Sequence, residues 1–109
     1  QHLRKIVLLV NKKTASAAEI FAAVMQNWGY VVVGEKTFGK GVGQMKYNLP
    51  APTGSVFFLT SFECFIGKER KKLDGVGVTP DILVRESRLT PEDDQLEAAI
   101  KFLNQKSGD

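Results

Sequence analysis

Two short, unbroken apolar runs flank a segment of helical periodicity, and that pattern leaves few folds open. Residues Ile6 to Val10 are all apolar and mostly β-branched, the character of a strand covered on both faces in an α/β sheet. From Ala17 to Trp28 the period changes. Ile20, Phe21, Val24, Met25 and Trp28 fall along one helical face, and Gly29 is placed to end the helix. Val31-Val32-Val33, closed by Gly34, is a second buried strand, so the first half predicts a parallel strand, helix, strand unit with a right-handed crossover.

The second half has a different texture. Gly34 to Gln44 holds too many glycines for a regular element and reads as a shaped loop. Met45 to Leu49 and Ser55 to Phe65 have strand composition and flank the turn signal Pro50-Ala51-Pro52-Thr53-Gly54, which predicts a β-hairpin. Gly75 to Asp81 is a second loop before a short strand, Ile82 to Val84. A final helix is expected with Thr90 as N-cap, Pro91 at its first position, and Leu96, Ala99, Ile100 and Leu103 on its buried face.

Composition narrows the function classes. With 109 residues, 43% hydrophobic and 25% charged, the chain reads as one soluble globular domain, with no apolar run of the ~18–20 residues a membrane span needs. A net charge of +3 does not predict nucleic acid binding. One cysteine, Cys64, and one histidine, His2, offer neither an internal disulfide nor a metal-binding spacing, so zinc and iron sites are not expected. His2 also sits at the start of the chain, away from every candidate nucleophile, so serine chemistry here would need a base other than histidine.

Three residues stand out as candidates for chemistry. Ser16 sits between a buried strand and a helix among small residues, Thr14-Ala15-Ser16-Ala17-Ala18-Glu19. Ser16 with Glu19 is also a capping box, which competes for the same hydroxyl. As a nucleophile, Ser16 would leave the backbone N–H of Ala17 facing a developing oxyanion. Lys40 is bracketed by Gly39 and Gly41; walled by Val33, Phe38 and Val42, it would lose charge through burial and serve as a general base. Gln44, four residues on, carries an amide suited to orienting the lysine. The same loop matches G-x-x-x-x-G-K, but Gly41 stands where a magnesium-binding Ser or Thr belongs and no helix follows, so the phosphate-cradle reading fails.

Taken together, Val7 to Asn11, Thr14 to Ile20, Val33 to Gly41, Gln44 and Gly75 to Ile82 resemble, in order and approximate spacing, the carboxyl-terminal processing peptidases, also called tail-specific proteases. The resemblance runs from about Lys5 to Val84. It implies an α/β fold with the partial ββα superhelical core of the crotonase and Clp-protease superfamily, here a strand, helix, strand unit followed by a β-hairpin and a C-terminal helix. It implies a serine endopeptidase cutting protein substrates near their C-termini, with Ser16 as nucleophile, Lys40 as general base, Gln44 orienting Lys40 and the Ala17 N–H in the oxyanion hole. No cofactor or metal is implied, the partners are protein or peptide substrate C-termini, and the location is extracytoplasmic, in periplasm or cell envelope.

The resemblance also sets expectations about extent. Residues 1–109 correspond to the C-terminal portion of a single peptidase domain, with the family's PDZ domain and N-terminal peptidase segments outside it; exposed strand edges then favour a homo-oligomer. Two departures stand out. The Ser16 to Lys40 interval is one residue shorter than usual, in the turn at Asn27 to Tyr30, and Cys64 to Lys72 lacks the usual aromatic pair and Thr-Pro-Ser-Gly turn. The alternative from another class is a non-catalytic ligand- or protein-binding module on the same fold, which would have no chemical need for Ser16, Lys40 and Gln44 together.

Overall fold

The strand, helix, strand unit forms as its periodicity predicts. The computed structural model describes residues 6–87 and 92–107. Its elements run β1 (Val7–Val10), α1 (Ala17–Asn27), β2 (Val31–Gly34), β3 (Val42–Asn48), β4 (Val56–Glu63), β5 (Phe65–Ile66), β6 (Lys71–Lys72), β7 (Ile82–Leu83) and α2 (Asp94–Ser107). The three-stranded sheet has order β1-β2-β7 and is parallel throughout, with Val7 opposite Val31 and Val10 opposite Gly34. Gly34, at φ 135, is required there because a Cβ would overlap the Val10 carbonyl.

Helix α1 ends as expected. Gly29 adopts φ 96, its N–H donates to the Gln26 carbonyl at 3.0 Å, and the Tyr30 N–H donates to Met25 at 3.1 Å. That pair of bonds is a Schellman motif, which satisfies carbonyls the helix end would leave orphaned. The chain then re-enters the sheet as β2, whose Val32 and Val33 are fully buried. Val10, Ala22, Ala23, Val32, Leu73 and Val78 form the core, with Leu8, Ile20, Cys64 and Ile66 packed against it.

Both helices, however, turn only part of their predicted apolar stripe inward: Ile20 packs against the core and Ala99 is buried, but other stripe residues face solvent. In α1 the buried residues are Glu19, Ala22 and Ala23, whereas Phe21 is 61% and Trp28 71% exposed. In α2 the buried residues are Gln95 and Ala99, while Leu96 and Ile100 face solvent. The reason is the same in each case: a polar side chain one position away from the apolar stripe has inward hydrogen-bond partners. Gln95 donates from Nε2 to the Val84 carbonyl at 3.0 Å and to Glu35 at 3.4 Å, and Glu19 is described below. Thr90 and Pro91 lie outside the described residues; the described helix begins at Asp94, with Asp93 Oδ1 accepting the Leu96 N–H at 3.0 Å as its cap.

Three further differences concern the sheets. β1 is an edge strand rather than a central one, and its Leu9 is 43% exposed. β3 starts at Val42, so Gly43 and Gln44 belong to the strand, with a register irregularity between them. Cys64 ends the long hairpin pairing, and Phe65–Ile66 with Lys71–Lys72 make a separate small hairpin. The β3-β4 ribbon carries Met45, Tyr47, Phe57 and Leu59 on one face, with Tyr47 stacked on Phe57 at 5.2 Å, and this face is largely open. The molecule measures 63 × 38 × 24 Å, with a radius of gyration of 17.8 Å. A globular chain of this size has about 13 Å, so the expected single compact domain is drawn out.

The rotated face of α1 has a testable consequence. Ala22→Leu should destabilise the chain by about 1–3 kcal/mol through overpacking, while Phe21→Ser should change stability by no more than about 0.5 kcal/mol. Urea unfolding of both variants reads the difference; the opposite ranking would restore the apolar stripe as the packed face.

Candidate active site

β1 delivers its chain to a polar turn in which Thr14 Oγ1 accepts the Asn11 N–H at 3.0 Å, and Asn11 Oδ1 accepts the Lys13 N–H at 2.9 Å. The turn leads into Ser16, which has φ 57 and ψ −124. That is the backbone of the first central residue of a type II′ turn, a position glycine dominates. A serine held there marks a strained strand-to-helix turn of the kind that lifts a nucleophile clear of the backbone. Ser16 and Glu19 are arranged as a capping box, but its halves are unequal. Glu19 Oε2 accepts the Ser16 N–H at 2.9 Å, while the Glu19 N–H bonds at 2.9 Å to the Ser16 carbonyl and the serine makes no side-chain cap bond. Among the described residues the Ala17 N–H has no acceptor either, and it points out of the first turn of α1.

β2 delivers the second half of the site. Beyond Gly34 the chain runs through buried Thr37 into a loop whose backbone is tied down through most of its N–H groups. The Phe38 N–H donates to the Thr14 carbonyl at 2.9 Å, and those of Gly39 and Lys40 donate to Glu19 at 2.6 and 2.8 Å. The Gly41 N–H donates to Asp74 Oδ1 at 3.0 Å. The Gly39 and Gly41 carbonyls accept from Gly75 at 2.8 Å and Cys64 at 2.7 Å. Gly41 must be glycine, since a Cβ would overlap the Asp74 backbone nitrogen. The Lys40 backbone is therefore fixed, and only its side chain is left to move.

Glu19 joins the two halves. It is 0% exposed and accepts four hydrogen bonds: Oε1 takes the Thr37 hydroxyl at 2.5 Å and the Gly39 N–H, and Oε2 takes the N–H groups of Ser16 and Lys40. The backbone nitrogens of Ser16 and Lys40 are thus at most two hydrogen-bond lengths apart. Burial by itself would raise the Glu19 carboxyl, but the bonds from Thr37, Gly39, Lys40 and Ser16 outweigh it and hold the group below its ordinary value. The sequence shows Glu19 only as the fourth residue of S-x-x-E; its partners at 37, 39 and 40 carry no local signal.

The candidates are placed as follows. Ser16 and Lys40 are both half-buried and share the Glu19 carboxylate. Phe38, expected to wall off Lys40, is 69% exposed, while its buried neighbour Thr37 turns inward to Glu19. Gln44 is exposed on β3 beside the register irregularity, and no hydrogen bond joins it to Lys40 among the described residues. A separate groove, lined by Ala23, Asn27, Ile66, Leu73 and Val76 among others, contains none of these candidates.

Comparison with known proteins identifies the family. The sequence profile of peptidase family S41 matches residues 1–84. This chain belongs to that family. A carboxyl-terminal-processing protease of Picosynechococcus sp. is 36% identical to the S41 chain over 107 residues, 92% of this chain and 25% of that protein. The chloroplastic carboxyl-terminal-processing peptidase 1 of Arabidopsis thaliana is 35% identical over 77 residues, 70% of this chain and 15% of that protein. Among solved structures, a photosystem II D1 C-terminal processing protease superposes with a TM-score of 0.60 at 29% identity, covering 87% of this chain and 23% of the other. The chain spans about a quarter or less of the length of these relatives.

Two outcomes test the geometry. Ser16→Gly should be more stable than Ser16→Ala by about 1 kcal/mol, because only glycine relieves the backbone at φ 57; equal unfolding midpoints would remove the strain. Glu19→Gln should lose at least about 2 kcal/mol at neutral pH, since the amide leaves buried donors unpaired. A lowered carboxyl contributes stability above its ordinary value of 4.5, and that contribution is lost as pH falls through the lower folded value. The deficit of Glu19→Gln should therefore shrink in urea titrations below about pH 4.

Proposed function

We propose that this chain supplies the Ser-Lys dyad of a serine endopeptidase that cleaves proteins near their C-termini. The observation that carries the reading is that Glu19 Oε2 accepts the backbone N–H groups of both Ser16 and Lys40. The backbones of two residues 24 apart in sequence, a serine on a strained turn and a lysine on an immobilised loop, are thereby held close together. That proximity supports an activated nucleophile without histidine.

In this reading Ser16 Oγ attacks the scissile carbonyl as Lys40 Nζ accepts its proton. The amine must be uncharged to do so. The tetrahedral oxyanion takes the unclaimed Ala17 N–H, and its collapse expels the amine, which receives its proton from Lys40. Water then attacks the acyl-enzyme by the same route in reverse. Gln44, exposed and on the strand that leaves the loop, turns its amide oxygen toward Lys40 Nζ to orient it.

We read residues 1–109 as the C-terminal portion of one peptidase domain with the ββα core of the crotonase and Clp-protease superfamily; the β1-α1-β2 parallel unit supports this. The relatives named chloroplastic support an extracytoplasmic or organellar processing role.

In the longest natural polypeptide that carries this chain, folded Ser16→Ala and Lys40→Ala should each lower the rate of cleavage of an unfolded protein by about 10³-fold or more. Gln44→Ala should lower it by roughly 10-fold, as an orienting contact would. Variants of Ser16 and Lys40 that cut as fast as wild type would refute the dyad and favour a binding module on this fold.

A further inference from the structure

A helix cap on the surface is satisfied by a carboxylate half in water, and nothing in capping calls for full burial. Glu19 is fully buried all the same, and three of its four donors lie on a loop about twenty residues away. Burying an ionised group is costly unless every lone pair is used, so a fold that keeps one has a strict donor set around it. Here the set is divided. Oε1 serves Thr37 and Gly39, at the start of the loop, and Oε2 serves only Ser16 and Lys40.

From this division we infer that Glu19 is a positioning residue of the Ser-Lys site, fixing the spacing of nucleophile and base through the single oxygen Oε2. The inference rests on the assignment of Ser16 and Lys40 given above and adds a third participant that touches neither substrate nor reacting atoms. Only an acceptor without a donor of its own fits the place, because each oxygen faces two donors. A glutamine would turn its NH2 against the N–H groups of Ser16 and Lys40 or, flipped, against that of Gly39. The bond also commits the Ser16 N–H, which is thereby removed from the oxyanion hole and leaves Ala17 as the donor at this end of the site.

The test uses the longest natural polypeptide that carries this chain, with kcat and KM measured separately on an unfolded protein substrate. Folded Glu19→Gln should lower kcat by about 10²-fold with KM nearly unchanged, since a misplacement of the reacting groups acts on the chemical step. Thr37→Ala removes the Oε1 bond from the hydroxyl and the acceptor of the Val78 N–H, and so loosens the loop without touching Oε2. At a comparable loss of stability it should lower kcat by less than about 10-fold. Glu19→Asp keeps the charge but shortens the reach, and its kcat should fall between those of wild type and Glu19→Gln.

A folded Glu19→Gln or Glu19→Asp with wild-type kcat overturns the role, as does a Thr37→Ala that loses kcat as steeply as Glu19→Gln, which would reduce Glu19 to a structural prop. A Ser16→Ala protein that still cuts would overturn the dyad itself. Ser16→Ala inactive beside Glu19→Gln fully active would overturn only the part given to Glu19.

Discussion

A buried carboxylate tolerates no vacancy among its hydrogen bonds, and most of this structure is arranged around that demand. Glu19 needs donors from α1's own first turn and from the loop after β2, so α1 must lie with residues 19, 22 and 23 inward and the loop must pass beneath it. Ala22 and Ala23 are small because the helix is then pressed against the sheet. Ile20 still packs against the core, while Phe21 and Trp28 are displaced to the flank of α1, where they meet solvent. One polar group thus sets the rotation of a helix, the path of a loop and the approach of two reactive residues.

The parallel sheet makes the arrangement economical. β1 and β2 run in the same direction, so the turn holding Ser16 and the loop holding Lys40 emerge at the same end of the sheet. That is where open α/β sheets place their ligands, at the carboxyl ends of strands. Chain order alone separates the two residues; strand direction brings them back together.

How far the sequence could be read follows from which signals are local. The Val and Ile runs, the Gly29 stop and the Pro50 to Gly54 turn depend on neighbours a few residues away, and the strands, α1 and the long hairpin stand where those signals put them. Helix rotation was not legible. Periodicity identifies an apolar stripe, whereas in both helices a buried amide or carboxylate one position off the stripe decides which face turns in. The strained backbone of Ser16 was equally hidden, since S-x-x-E reads as an ordinary cap. The Ser16, Lys40 and Gln44 set came from motif order, and the structure places the first two beside one carboxylate while leaving Gln44 exposed on its strand.

The clamp at Gly41 gives the molecule a mechanical boundary. On one side lies the immobilised loop with Lys40; on the other begins a ribbon of two long strands that is exposed over most of its length. A lever of that reach would transmit every thermal swing to its root. With the Gly41 N–H held by Asp74 and its carbonyl by Cys64, the root is pinned on both faces of the peptide chain, and the swing ends there. Bending or capture of the ribbon by another surface would then stop at this pin, one residue short of the lysine.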